Sequence, residues 1–245
     1  MISEFFNLEQ KLSYQLVRLK DLGLCAVKAE FEAEGASFRD LLRLRRLTLE
    51  QNIPLYLKIG GVEALRDLKD ALDLGVDGLI APMVESPFGV VKFTEAIQAV
   101  FGGRKLFRSI NIETREAVDR IDEILEVARG KIDNVTIGRT DLSRSYFNSV
   151  IHPDSPFIFD LIDRLSYKIQ SAGFDFTVGG SLTSESILIF AERKDRLGGR
   201  VSSLETRKAV FPTNRMLEEK MVLKESLRFE EFYLRFKLEC EAWLS

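Results

Sequence analysis

Three charged side chains stand where short apolar runs of this sequence end. Lys58 closes "PLYLK", Glu113 closes "FRSINIE", and Asp141 follows "VTIG" behind Gly138, with Arg139 and Thr140 between and Ser143 just after. Two readings account for the last of these stretches. Gly, Asp and Ser are turn residues, so "GRTDLS" is on one reading an ordinary turn. On the other it is a ligand loop at the mouth of a barrel. The single histidine, His152, lies in "NSVIHPDSPF" and excludes any two-histidine metal site. A Ser-His-Asp triad would have to use this one residue, which reads as an ordinary loop histidine. Cys25 and Cys240 are too few for a disulfide framework or a zinc cluster.

The elements that position these residues are legible from patterning. Short runs rich in β-branched and apolar residues ("LCAVKAEFE", "PLYLKIG", "DGLIAPMV", "KLFRSINIE", "NVTIG", "FDFTVGG", "RVSSLE") alternate with longer segments of helical period. Such alternation means parallel strands joined by crossover helices. Seven strands are clear, and "TRKAVF" is an eighth or a continuation of the seventh. Parity then separates a barrel from an open sheet. Val27, Ala29 and Phe31 oppose Lys28, Glu30, Glu32 and Glu34; Leu55, Leu57 and Ile59 oppose Tyr56 and Lys58; Ile110 and Ile112 oppose Ser109, Asn111 and Glu113. A sheet buried between two helical layers reads as nearly continuous apolar residues. Charges on one strand face are rarely structural unless paired or bound to an ion. The pattern is that of an α/β fold of the (β/α)8 TIM type, with chemistry at the C-terminal strand ends.

At 245 residues, 45% hydrophobic and 30% charged, with a net charge of −3, the chain suits one such domain over 1–245. Neither the charge nor the composition calls for nucleic acid. No apolar run approaches the roughly 20 residues that span a bilayer, and the first residues do not read as a signal peptide. A cytoplasmic protein is expected. The tail from Pro212 onward reads as one long helix or a broken pair. Its apolar positions, Met216, Met221, Leu227, Phe232, Phe236 and Trp243, close the barrel wall or meet a second subunit.

In this order, "VDGLIAPMVES", "INIETREAVDRIDEIL" and "VTIGRTDLSRS" resemble the HpcH/HpaI aldolase/citrate lyase family, which is similar in fold to the phosphoenolpyruvate- and pyruvate-binding barrels. The resemblance covers roughly residues 23–145. It implies that Glu113 and Asp141 hold one divalent Mg or Mn ion, hard oxygen ligands on a hard cation, which acts as a Lewis acid on an enolate. It implies that the backbone of Gly138, Arg139 and Thr140 takes the substrate carboxylate, with Asn111 also in the substrate site. Where family members often have proline, this chain has Arg139, whose guanidinium binds a second carboxylate or a phosphate or faces solvent. Lys58 stands at the position of the family's strand-end arginine, keeping the charge without the bidentate fork. Where many members use a histidine base after a glutamate, Gly35 follows Glu34. Glu32 or Glu34 is then the base, as in the citrate-lyase-like branch, or both are surface acids.

The resemblance therefore implies a metal-dependent carbon–carbon lyase of the aldolase type, acting through an enolate on a 2-oxo acid such as pyruvate or a related carboxylate, in a homo-oligomer. A phosphoenolpyruvate-dependent enzyme of the same superfamily and a non-catalytic metabolite-binding barrel are the alternatives.

Overall fold

The computed structural model describes residues 2–31, 34–197 and 199–242. The chain starts with a long helix, α1 (Ile2–Asp21), and then builds a closed barrel. Its first seven strands are β1 (Ala26–Glu30), β2 (Leu55–Lys58), β3 (Gly78–Ala81), β4 (Phe107–Ile112), β5 (Asn134–Gly138), β6 (Asp175–Gly179) and β7 (Ser203–Glu205), each parallel to the next. Between them run α2 (Phe38–Glu50), α3 (Leu65–Leu74), α4 (Pro87–Phe101), α5 (Arg115–Asp119), α6 (Ile121–Ala128), α7 (Arg139–Arg144), α8 (Pro156–Ser171), α9 (Ser184–Glu192) and α10 (Lys194–Leu197). Side-chain caps define several helix starts: Ser37 for α2, Ser86 with Pro87 for α4, Thr114 for α5 and Thr183 for α9.

The eighth strand corrects the strict (β/α)8 expectation. β8 (Ala209–Pro212) runs antiparallel to both β7 and β1. Only residues 206–208 separate it from β7, with the Thr206 amide donating to the Ala209 carbonyl at 2.9 Å. A parallel return needs a crossover of about a dozen residues or more, so a connection this short can only make a hairpin. The result is a closed eight-stranded α/β barrel with seven parallel strands and one reversed.

The tail is a broken pair, α11 (Thr213–Glu218) and α12 (Lys220–Ala242), and α12 packs along α1. Gln15 donates to the buried Glu225 carboxylate at 2.7 Å, and Arg18 reaches it at 3.0 Å. Met216 and Phe236 are buried as the periodicity expects, Met221 and Leu227 are exposed, and Trp243 lies outside the described residues. Among the described residues no helix is long and apolar enough to cross a membrane.

Strand parity sorts the side chains as the sequence suggests. Val27, Ala29, Leu55, Leu57, Ile110, Ile112, Val135 and Ile137 face the helices in one continuous apolar core. The other parity fills the barrel with Lys28, Glu30, Lys58, Ser109, Asn111, Asn134 and Thr136. Near the N-terminal end Tyr56 stacks on Phe107, ring centroids 4.5 Å apart, across Gly78 of the strand between them. A Cβ at Gly78 would lie 2.6 Å from a Tyr56 ring carbon. Gly78→Ala is therefore expected to push the stacked pair apart and destabilise the protein by about 1–3 kcal/mol, an overpacking cost. Thermal melting checks this, at about 2–4 °C per kcal/mol for a chain of this size. An unchanged melting temperature would show that the rings move aside freely.

Candidate active site

The C-terminal ends of the strands surround a cavity of about 480 Å³. Glu113 stands one residue beyond β4, and the Thr114 cap turns the chain into α5 behind it. The side chain is 3% exposed. The Met83 amide donates to its Oε1 at 3.0 Å, and the Asn111 amide group donates to its Oε2 at 3.1 Å. Met83 follows Pro82 in a left-handed conformation, φ 49°, uncommon for a residue with a side chain. Burial pushes the Glu113 carboxyl above its ordinary range. The Lys58 charge and the two hydrogen bonds oppose that, and the Asp141 charge adds to it. Asn111 Oδ1 is buried without a hydrogen-bond partner.

Asp141 sits in the first turn of α7 and lines the same cavity, so the fold brings Glu113, Asp141 and Lys58 together. Gly138 is what lets Glu113 lie here: a Cβ at that position would collide with the carboxylate. The first backbone amides of α7 are approached just as closely by Gly180, φ 84°, where a Cβ would stand 2.6 Å from Thr140 N and 2.7 Å from Arg139 N. Thr140 Oγ1 and Ser181 Oγ share a hydrogen bond of 2.9 Å at the cavity rim. Ser143 turns back to the Thr140 carbonyl at 2.9 Å.

Arg139 goes elsewhere. Its side chain is fully buried and points into the barrel wall rather than toward a ligand. The guanidinium pairs with Asp154 at 2.6 Å, donates to the Gly179 and Gly180 carbonyls at 3.2 and 2.9 Å, and lies over the rings of Phe159 and Phe190. Burial lowers its pKa against the pull of Asp154. These partners consume the donors that the sequence reading offered to a second carboxylate or phosphate. The side chain instead anchors the loops after β5 and β6, while its neighbours Gly138 and Thr140 line the cavity.

Of the two acids proposed as bases, Glu32 lies outside the described residues. Glu34 is not among the residues lining the cavity. It pairs with the buried Lys208, whose ammonium sits 4.2 Å from the centre of the Tyr233 ring. His152 is an exposed loop residue, as expected.

The cavity holds a charge ladder of which the sequence reading gave a role to Lys58 alone. Lys58 lies 3.3 Å from Glu30, Glu30 lies 3.7 Å from Lys28, and Lys28 donates to Glu205 at 2.5 Å. Burial alone would raise the Glu30 carboxyl, but the Lys28 and Lys58 charges outweigh it and hold it below the usual range. Burial would lower the Lys28 ammonium, but the Glu205 and Glu30 charges outweigh that and hold it above the usual lysine range. The signal for Lys28 and Glu30 was present in their shared parity. Glu205 lies near the hairpin, where strand assignment was open.

Among the described residues no group of three or more His, Cys, Asp and Glu side chains is arranged to hold a metal. The pair Glu113 and Asp141 nevertheless fits a hard divalent cation. Both are oxygen donors on one cavity, and Glu113 is a buried carboxylate whose charge a cation would offset.

Comparison with known proteins bears on the fold. Residues 60–162 match the HpcH/HpaI aldolase/citrate lyase family model. Among solved structures, an HpcH/HpaI aldolase from Desulfitobacterium hafniense DCB-2 is similar with a TM-score of 0.62 and 19% identity, covering 78% of this chain and 80% of that one. An HpcH/HpaI aldolase/citrate lyase family protein from Burkholderia cenocepacia J2315 is similar with a TM-score of 0.58 and 17% identity, over 81% and 84%. RipC from Yersinia pestis follows with a TM-score of 0.55 and 14% identity, over 84% and 87%. At these identities the likeness shows the fold. No curated protein matches the sequence significantly.

The Glu113 environment makes a stability prediction. Its folded pKa lies above the unfolded value of about 4.3, so folding disfavours the charged form. The penalty is absent below the unfolded pKa and present in full once the pH rises past the folded one. Glu113→Gln is therefore expected to raise the metal-free melting temperature at pH 7, an advantage that disappears on acidification to about pH 4. Rotation of the Asn111 amide would let its unpaired oxygen meet the new donor. A lowered melting temperature at pH 7 would contradict this account of the carboxylate.

Proposed function

From the assignment of this chain to the HpcH/HpaI aldolase/citrate lyase family, which residues 60–162 carry, we propose that it is a metal-dependent carbon–carbon lyase of the aldolase type. The family relationship supports lyase activity in general. The substrate class proposed is a 2-oxo acid or related carboxylate that reacts through an enolate. One observation carries the finer reading: Glu113, Asp141 and Lys58, which come from three separate segments, line one cavity at the C-terminal ends of the strands.

In this reading Glu113 and Asp141 hold a divalent Mg or Mn ion, which supplies Lewis acidity to a carbonyl oxygen when bound. The Met83 amide and Asn111 fix the Glu113 carboxylate in place. The substrate carboxylate is received by the backbone at Gly138, Arg139 and Thr140, and the absence of a Cβ at Gly180 keeps the approach to those amides open. Lys58 offsets the negative charge that develops on the enolate oxygen. It does so as a point charge, without the two parallel hydrogen bonds of an arginine.

The base is assigned to Glu30 rather than to Glu32 or Glu34. Glu30 faces the cavity, and its two lysine neighbours hold it ionised, the protonation state from which a base acts. Glu34 is occupied by Lys208.

Enolisation needs no second substrate, which gives a direct test. With Mg or Mn present, the protein is expected to incorporate deuterium into the methyl group of pyruvate in heavy water, followed by proton NMR. Exchange should be lost in Asp141→Ala and fall by about 10²-fold or more in Glu30→Gln, the range of a general base. Oxaloacetate decarboxylation, which also yields an enolate, provides the second readout. Silence in both assays with metal bound would defeat the proposal.

A further inference from the structure

The mouth of the barrel has two lobes. Glu30, Lys58, Glu113 and Asp141 border both, so the groups to which the lyase reading gives the chemistry stand at the junction. The larger lobe, about 480 Å³, extends over the ends of β5, β6 and β7 and carries Gly138, Thr140, Gly180 and Ser181. The smaller, about 370 Å³, is walled otherwise by Ile59 and Gly60 after β2 and by Pro82 and Met83 after β3. In a closed ring of eight strands β2 faces β6 and β3 faces β7. The lobes therefore lie on opposite sides of the mouth, with the reacting centre between them.

Their chemistry differs. The larger lobe is rich in donors: Arg144 and Arg207 are exposed on it, neither paired with an acid among the described residues, and Thr140 and Ser181 add hydroxyls. The smaller lobe has no free donor in its own wall. The Ile59 amide donates to the Ile80 carbonyl at 3.1 Å, the Gly60 amide to the Asp67 carboxylate at 2.7 Å and the Met83 amide to Glu113 at 3.0 Å. Pro82 has no N–H to offer, and none of the four residues has a side chain that donates or carries charge. Ile59 is buried, so the surface presented is mainly that of Pro82 and Met83, the latter 48% exposed. Its backbone is fixed, because the same residue whose side chain faces the lobe has its amide tied to Glu113.

We infer that the smaller lobe receives the fragment that departs when the carbon–carbon bond breaks, and that this fragment is an uncharged aldehyde or ketone whose apolar substituent packs on Met83. The inference rests on the lyase reading. A 4-hydroxy-2-oxo acid laid across the mouth has its carboxylate at the backbone of Gly138 and Thr140 in the larger lobe and its keto oxygen at the junction beside Lys58. The chain beyond its third carbon then points to the opposite side, into the smaller lobe. On cleavage the hydroxyl proton passes to Glu30, and the O–H electron pair forms the new carbonyl. The pair of the broken carbon–carbon bond stays with the carboxylate half as the enolate, which takes the proton back from Glu30 to become the 2-oxo acid. A carboxylate or phosphate on the departing fragment would give up water in the smaller lobe and find no donor in that wall, a cost it would not meet in the larger one. Met83 thus sets the class of substrate without taking part in the bond change.

The experiment runs the reaction toward bond formation, with pyruvate as donor and two acceptors of equal chain length. Pentanal ends in a methyl group and 5-oxopentanoate in a carboxylate. In the wild type kcat/KM for pentanal is expected to exceed that for 5-oxopentanoate by about tenfold or more, the cost of a carboxylate without a partner. Met83→Lys, which places a cation in the lobe, should move this ratio toward 5-oxopentanoate by about tenfold. The Arg144→Ala, Arg207→Ala double variant should leave the ratio within about twofold, because a change in donor binding is common to both acceptors and cancels. A wild-type preference for 5-oxopentanoate, or a ratio that moves in the arginine variant and not in Met83→Lys, overturns the assignment and places the departing half in the larger lobe. Deuterium exchange into pyruvate is followed beside it, since it needs no acceptor. Exchange with addition of neither aldehyde also overturns the assignment, because an apolar lobe open beside the enolate would admit pentanal. Absence of both exchange and oxaloacetate decarboxylation in the wild type, with metal bound, is instead the failure of the lyase reading, and the inference falls with it.

Discussion

Lys28 donates to Glu205 at 2.5 Å from the strand on the far side of the reversed β8, and this contact helps tie the barrel shut where its ladder is short. β8 is four residues long and shares only two register pairs with β1. The lysine thus joins β1 to β7 over the top of a short hairpin strand. Removing one partner of a buried ion pair ordinarily costs about 3–5 kcal/mol, because the other charge is left uncompensated. The same ammonium stands beside Glu30, which in turn stands beside Lys58, so barrel closure and the electrostatics of the mouth depend on one set of charges. The acids at the cavity are accommodated unequally. Glu30 lies between two lysines and is stabilised as an anion, whereas Glu113 is buried with less compensation and is destabilised as one. That difference keeps Glu30 an anion and leaves Glu113 a carboxylate whose charge a cation would offset.

Parity made most of the barrel legible. Once Val27 and Ala29 were set against Lys28 and Glu30, or Ile110 and Ile112 against Asn111 and Glu113, the inner and outer faces of the strands followed, because a strand has a fixed period of two. The direction of the last strand was not legible in that way. Periodicity carries no sign, so "AVF" reads the same in either direction, and only the three-residue connection after Glu205 decides it. The Glu113, Asp141 and Lys58 grouping was visible because each side chain ends or follows a strand, and strand ends of one hand converge in a parallel barrel.

Arg139 and Glu34 show what local sequence could not tell. Both were assigned by position in a motif, and both have their side chains claimed by residues distant in the chain: Asp154 and Ser186 for Arg139, Lys208 for Glu34. A long side chain next to a site can turn either way, and the choice depends on packing partners contributed by other loops. Here Phe159 and Phe190 offer Arg139 two ring faces inside the wall, where cation–π contacts gain from desolvation. The Arg139 side chain therefore serves as a structural brace for the loops after β5 and β6.

The central claim is that Glu113 and Asp141 form one cation site in the mouth of the barrel. Electron paramagnetic resonance of Mn²⁺ added to the purified, metal-free protein tests it most directly, because free ion gives a sharp signal and bound ion does not. The account predicts one bound Mn²⁺ per chain in the wild type, and binding weakened by more than about tenfold in the Glu113→Gln, Asp141→Asn double variant, since the site would lose both its anionic ligands. Equal binding by the wild type and the folded double variant would contradict it.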